Sequence, residues 1–372
     1  MESRTDAEIR DQYAYTPNRM ITGMVRIHDK DAPQTPRTRS WATTLRGASP
    51  FNKLPVELMQ LILGPLDFLS LSRFSRTSRL AHEMVNSLPA YQDLLRHAPK
   101  ALTALARMDM LHMHSSKALR DVLYSDRCVC CGNFGAFLFL ITCQRCCYQC
   151  MDNKQALWAM PRAQAAKCFD IPTRELKLLA SARSLPGTYV VQYRVRRSAR
   201  QRLVSVRAAK ELALKLHGSS EASLAAHLKS RHGERIGARD QNSKWYFAHL
   251  QRAQLEFEDH DPRLYMAPAN TTNDSCNGMA SILFPALRRP GNVADHGLWC
   301  RGCNWVIHDV HQLGRDVLER LVPRPFNSSA YCRRLALQEW SDEGFIAHAR
   351  SCYGLLNLAH SSRRKSRDAM AL

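Results

Sequence analysis

The 372-residue sequence contains no run of 18 or more apolar residues, so no membrane-spanning helix is expected. Its longest apolar stretch, residues 136–142 (AFLFLIT), falls far short of the ~20 residues a bilayer demands. A leader peptide is not expected either, because Glu2, Asp6, Glu8 and Asp11 interrupt the start and no apolar block precedes Met20. Three catalytic signatures are missing: G-x-x-x-x-G-K-[ST], a G-x-G-x-x-G following a strand, and G-x-S-x-G. Their absence removes the phosphate-cradling and nucleophile-elbow classes from consideration. His82 and Glu83 begin an H-E-x-x-H pattern, but Asn86 stands where the second histidine is needed. No residue is therefore assigned a catalytic role, and the chain reads as a non-enzyme.

Acid is scarce as well. Lys and Arg number 53 against 33 Asp and Glu, a net charge of +20, which favours acidic partners without naming one. The excess is densest from Arg194 to Lys210, where Arg196, Arg197, Arg200, Arg202 and Arg207 pass without an acid until Glu211. That stretch can meet phosphate groups or can be a solvated hairpin whose charges discourage edge pairing. A second basic run, Arg363, Arg364, Lys365 and Arg367, has the composition of a nuclear localisation signal.

What the chain does have is cysteine, thirteen in all, and in clusters. Without a secretory route these thiols stay reduced, in cytoplasm or nucleus, and their spacing reads as metal ligation. The first cluster has Cys128, Cys130 and Cys131 followed by Gly132, then Cys143, Cys146, Cys147 and Cys150. Cys128 and Cys131 form one C-x-x-C arm, and Gly132 relieves crowding where backbone amides approach sulfur. Either Cys143/Cys146 or Cys147/Cys150 can close a tetrahedral site. The second cluster is Cys300 and Cys303. His348 and Cys352, four apart on one helical face, complete a set of three cysteines and one histidine. Cys332 and the His308/His311 pair are rival donors. Both sites are four-coordinate with no open position, which describes a structural zinc, one or two ions, and leaves no place for a reactive water. Cys168 and Cys276 stand alone and read as core residues.

Residues 1–48 lack periodicity and are expected to be a flexible basic arm. Helical patterning covers about 54–122 and again about 161–184. A strand is expected over residues 188–195, another over 203–206, and a helix over 206–217 stopped by Gly218. Residues 218–262 are polar with short helical patches. Residues 279–285 read as a strand, 341–356 as a helix, and 356–372 as a basic tail.

The most informative segment begins LPVELMQLILGPLDFLSLSRFSRTSR at Leu54. Pro55 suits a first helical position, Glu57 the first turn, and Leu58, Leu61 and Ile62 share a face. Gly64 and Pro65 stop that helix, Asp67 or Ser70 caps a second carrying Leu71 and Phe74, and Thr77 or Ser78 caps a third. Such narrow apolar stripes cannot form a core alone and need a partner or the rest of the chain. The order L-P-x-E-L, I-L-x-P-L-D, L-S-L-S-R-F closely resembles the F-box of fungal-type F-box proteins.

That resemblance implies an α+β architecture: an all-α F-box at 49–95, then an irregular zinc-binding substrate-recognition domain over 100–355. It implies docking on a Skp-type adaptor, and through it a cullin, with Leu54, Pro55, Leu58, Ile62, Leu66 and Leu71 burying against the adaptor or holding the F-box together. In similar proteins a C-x-x-C-G is followed by an apolar strand and R-x-C-x-x-C, which selects Cys147 and Cys150 as the second arm. A later C-x-x-C with a helix ending H-x-x-x-C is shared too. The function implied is target recognition for an SCF-type ubiquitin ligase. The alternative is a zinc-dependent nucleic-acid-binding protein using residues 194–210.

Overall fold

A computed structural model describes residues 4–17, 23–32, 54–191, 194–235, 250–251, 276–323 and 328–359. The chain folds as a mixed α+β protein in which helices lead and short strands follow. The segment that resembles an F-box supplies α2 (Val56–Leu63), α3 (Phe68–Phe74) and α4 (Arg79–Ser87), continued by α5 (Pro89–His97), α6 (Pro99–Arg107) and α7 (Ser116–Tyr124). Their boundaries follow local chemistry. Helix α2 starts after Pro55 and ends at Gly64, Asp67 caps α3 through its side chain and Ser78 caps α4. Each cap satisfies an amide that the first helical turn leaves without a partner.

These helices do not close a core of their own. Met59, Leu63, Phe68 and Leu71 join one continuous apolar cluster that passes through α5–α7 and the first cysteine block to Trp299. The segment is also tied by hydrogen bonds: the Ser116 hydroxyl donates to the Gly64 carbonyl at 3.1 Å, and the Ser116 amide donates to Leu66 at 2.9 Å.

Beyond α7 the strands are short and mostly antiparallel. Strand β2 (Phe137–Phe139) is buried on both faces and lies between β3 (Gln144–Cys146) and β9 (Ser281–Leu283). Arg145, on β3, is almost completely buried. Its guanidinium donates to the carbonyls of Val122, Gly135, Phe284 and Pro285 at 2.6–3.2 Å. A buried cation is tolerated when its donors are so committed, and here it joins α7, the cysteine block and the Phe284–Pro285 segment after β9.

A second sheet orders β4 (Ala159–Pro161), β8 (Arg202–Ser205) and β5 (Ser181–Arg183). Its side chains alternate between two cores, as a period of two requires. Ala159, Ala182 and Leu203 face the large cluster, whereas Met160 and Val204 face a second one built with α9 (Arg162–Phe169), α11 (Val206–Leu216) and α12 (Glu221–Arg235).

Several expectations need correction. The supposed flexible arm is folded wherever it is described. Helix α1 (Asp6–Tyr13) carries a full capping box between Thr5 and Glu8, and β1 (Ala14–Tyr15) pairs with β12 (Trp299–Cys300). Met24, Val25 and Ile27 are buried in the large cluster, and the Val25 amide donates to Ser281. Beyond α1 the described part of the arm is stitched on by backbone pairing and isolated side chains, which leave no helical periodicity. The strand expected at 188–195 is a hairpin of β6 (Gly187–Val191) and β7 (Arg194–Ser198). The helical reading of 161–184 gives way at β5, which hydrogen-bonds to β8. The run 363–367 and most of 236–275 lie outside the described residues.

Candidate functional site

Three sites follow from this scaffold, and the first is an apolar surface. Among the described residues eight large hydrophobic side chains are exposed, and five of them sit on or beside α2: Leu54 37%, Leu58 45%, Leu61 70%, Ile62 53% and Leu66 36%. Helix α2 splits its apolar residues, with Met59 and Leu63 inward at 4% and Leu58, Leu61 and Ile62 outward. The i, i+3, i+4 spacing of the outward set makes one contiguous stripe. Pro55 is exposed at its start. Of the two roles expected for this set, Leu71 takes the internal one: it is fully buried within the protein's own core. It sits on α3 beside Phe68, whose ring stacks on Tyr91 at 4.6 Å. Leu61 joins the outward set although the family pattern did not single it out; its shared face with Leu58 and Ile62 is the signal that marks it.

The second site gathers Cys128, Cys131, Cys147 and Cys150, whose sulfur atoms all lie within 4.8 Å of one another. Cys131 and Cys147 sulfurs are 3.7 Å apart. A tetrahedral ion with metal–sulfur bonds of about 2.3 Å places its sulfurs about 3.8 Å apart, so the donors are set for one. Two turns present them. The first closes with the Gly132 amide donating to Cys128 O at 3.0 Å, and Gly132 takes φ +68°. In the second, Cys147 stands at the head of α8 (Tyr148–Asn153) and its sulfur accepts from the Cys150 amide at 3.4 Å. The sulfurs of Cys128 and Cys131, followed by burial, push the Cys147 thiol up. Four such sulfurs cannot all ionise without a cation between them. Cys130, Cys143 and Cys146 are buried outside this quartet, and burial alone pushes the Cys143 thiol up to about 12.

The third site gathers Cys300, Cys303, His348 and Cys352 within the same 4.8 Å limit. Cys352 sulfur lies 3.7 Å from Cys300 and 3.8 Å from Cys303, and His348 Nε2 lies 3.2 Å from Cys303 sulfur. Cys300 precedes α14 (Arg301–Asp309), and Cys303 is in its first turn. His348 and Cys352 come from α17 (Asp342–Ser351) and its C-cap. The approach requires glycine: a Cβ on Gly354 would stand 2.1 Å from the Gly302 carbonyl oxygen. Trp340 stacks on the His348 ring at 4.4 Å and 13°, fixing its plane. Helix α1 packs alongside, with Arg10 paired to Asp342 and Arg350 to Asp6. The rivals Cys332, His308 and His311 take no part in the cluster.

Both donor sets could hold a metal ion, and both are closed by four protein ligands, a pattern of structural rather than hydrolytic sites. The centres are also joined. The buried Glu339 carboxylate accepts from the Tyr148 amide, beside Cys147, at 2.6 Å, and burial pushes its carboxyl well above the usual range.

One further group, Asp170, His217 and His227, also converges, and no spacing signal announced it. Its members satisfy one another. His227 Nε2 and Arg231 Nε both reach Asp170 Oδ2, at 2.8 and 3.0 Å, and the two imidazoles stack at 3.9 Å. His217 Nε2 also meets the Asp170 carbonyl oxygen at 3.3 Å, so this group reads as a lock between α9 and α12.

Two members of the basic run have acidic partners. Arg207 pairs with Glu211 at 2.8 Å, and Lys210 is buried with its ammonium on Glu221 at 2.7 Å. No described helix is long and apolar enough to cross a membrane.

Comparison with known families places an F-box domain at residues 51–93, the segment that carries α2–α4 and the exposed stripe. No curated protein and no solved structure matches the chain. An F-box points to a substrate-adaptor role in a ligase of the SCF type, and to binding of a Skp-type adaptor. Proteins of this kind are typically non-catalytic subunits.

Proposed function

We propose that this protein is a substrate-recognition subunit of an SCF-type cullin–RING ubiquitin ligase. The observation that carries the reading is the outward apolar stripe of Leu54, Leu58, Leu61, Ile62 and Leu66 within the F-box segment. A stripe of this kind in a folded chain marks an interaction surface, and an α-helical face of this spacing suits a helical partner groove. Pro55 fixes the entry of α2 and borders the same surface. The region after residue 100 holds the target, stabilised by zinc at the four-cysteine centre and at the centre completed by His348. Zinc suits these donors because it takes thiolate and imidazole in tetrahedral geometry. Catalysis takes place on another subunit, and this chain contributes proximity.

The test is co-purification with a Skp-type adaptor, wild type beside Leu58→Asp/Ile62→Asp, both expressed with zinc. A complex that forms with the wild type and is lost in the double variant supports the reading. A folded, zinc-loaded wild type that ignores the adaptor sinks it.

A further inference from the structure

Residues 338–341 lie outside any helix or strand, between α16 (Ser328–Leu337) and α17, and both donor clusters lean on them. Toward the four-cysteine cluster the contact is Glu339. Its side chain is 2% exposed and accepts from the Tyr148 amide at 2.6 Å. Tyr148 follows Cys147 and begins α8, so this bond holds the start of the turn that presents Cys147 and Cys150. Gln149, the next residue of α8, donates its side-chain amide to the Arg334 carbonyl of α16. The turn is thus gripped twice from the same side.

Toward the histidine-containing cluster the contact is Trp340, one residue on. Its ring lies on His348, and its main chain pairs with Leu298 in both directions, at 2.8 and 2.9 Å. Leu298 stands two residues before Cys300. Ser341 then caps α17 by accepting from the Gly344 amide at 3.1 Å, and the Asp342 amide donates to the buried Asp295 carboxylate at 2.9 Å. The stretch therefore fixes the ring of one donor, the strand that delivers another, and the start of the helix that carries His348. An apolar contact runs in parallel, since the Phe137 ring meets Tyr148 at 6.3 Å and Trp299 at 6.5 Å between centroids.

We infer that Glu339 and Trp340 are positioning residues shared by both clusters, and that two metal ions bind this chain cooperatively through them. A short segment without a helix or strand of its own is ordered by what it touches, and ordering it costs conformational entropy. An ion at one cluster that fixes the segment leaves less to be ordered when the other cluster loads, which is positive coupling without any shared ligand. Groups that orient metal ligands from outside the donor set typically change affinity by about 10–100-fold. Here the two outer supports are adjacent residues, so what strengthens one strengthens the other. The effect is reciprocal, because coupling between two binding equilibria acts equally in both directions. The inference rests on the proposal that both clusters hold a metal ion, and it is independent of adaptor binding.

The experiment titrates the full, reduced chain with Co²⁺, whose absorption distinguishes four-sulfur from three-sulfur, one-nitrogen coordination, and then displaces it with Zn²⁺. Cys303→Ser/Cys352→Ser disables the histidine-containing cluster, and the four-cysteine cluster should then bind about ten-fold more weakly. Cys128→Ser/Cys131→Ser should weaken the other cluster by the same factor. In the Glu339→Leu background that ten-fold effect should shrink to about three-fold or less, the Phe137 contact keeping the remainder. Glu339→Gln, whose carbonyl can still accept from the Tyr148 amide, should restore it. A merely structural role for Glu339 would lower both affinities and leave their ratio to the disabled chains unchanged. If Glu339→Leu does not fold, Trp340→Leu beside Trp340→Phe asks the same question from the other end, with loss of coupling expected only in the leucine variant. Equal affinity of the four-cysteine cluster in the wild type and in Cys303→Ser/Cys352→Ser overturns the inference. So does a ten-fold effect that survives in Glu339→Leu or, where that variant is unfolded, in Trp340→Leu. A wild type that takes up no ion at either cluster removes the metal reading itself, whereas two ions bound independently sink the coupling alone.

Discussion

Replacing Leu58, Leu61 and Ile62 together by alanine separates surface from core within one short helix. Their exposures are 45%, 70% and 53%. Full burial of such a side chain is worth about 1.5–3 kcal/mol, so each has roughly half of that, about 0.8–1.7 kcal/mol, still to gain from a partner. The triple variant should therefore lose about 2.5–5 kcal/mol of adaptor affinity, roughly sixty- to several-thousand-fold in Kd. Leu61→Ala alone should cost the folded chain less than about 1 kcal/mol, because little of Leu61 is buried to begin with. The control is Leu71→Ala, whose fully buried side chain predicts a stability loss of about 2–5 kcal/mol. Calorimetric titration with the adaptor gives the first quantity, and thermal melts give the others. If Leu61→Ala destabilises the chain as much as Leu71→Ala, α2 does not present the face described. If the triple variant binds the adaptor unchanged, the stripe is not the docking surface.

Two further predictions concern the scaffold. Cys147→Ser should release one of two bound ions while Cys146→Ser and Cys143→Ser keep both, and acidification should free both ions as thiolates and imidazole protonate; a metallochromic dye reads the stoichiometry. Asp67 caps α3, and although its burial works against ionisation, hydrogen bonds from Ser70 and from main-chain amides hold its carboxyl below the usual range. A depressed folded value contributes stability that is present above the unfolded pKa of about 3.9 and is lost as pH falls through the folded one. Asp67→Ala should cost about 1 kcal/mol at neutral pH and progressively less toward pH 3, whereas Asp67→Asn should keep the cap without that acid dependence. Melting temperatures of the three chains across that range decide it, since metal loss affects all alike.

Much of this was legible locally. The F-box segment announces its helices by Pro55, Gly64, Asp67 and Ser78, each of which acts through its own backbone neighbourhood. Both tetrahedral donor sets were readable because two-residue and four-residue spacings project donors from a single turn. What was not legible depends on partners distant in sequence. Leu71 and Leu58 look alike in the chain, and only the packing of α3 against α5 buries one while α2 exposes the other. The N-terminal arm is ordered by pairing with residues nearly three hundred positions away, at Ala14 and Cys300, which no local pattern encodes.

The two donor clusters and the apolar stripe answer one physical problem. After residue 125 most of the described strands are three to five residues long, too short to hold a stable sheet by pairing alone. A metal ion held by each donor cluster, at 128–150 and at 300–352, would supply what the strands cannot. Glu339 and the Arg145 carbonyl cage then join those centres to α7 and so to the F-box helices. Because Met59 and Leu63 belong to the same core as Cys147 and Trp299, α2 is not a tethered handle. An adaptor that grips its outer face also fixes the orientation of the sheet behind it. Ala159, Ala182 and Leu203 pack into that core. A bound target would then be held at a defined distance and angle from the ligase. In the proposed role, where the chemistry falls to another subunit, that rigidity is the contribution to rate.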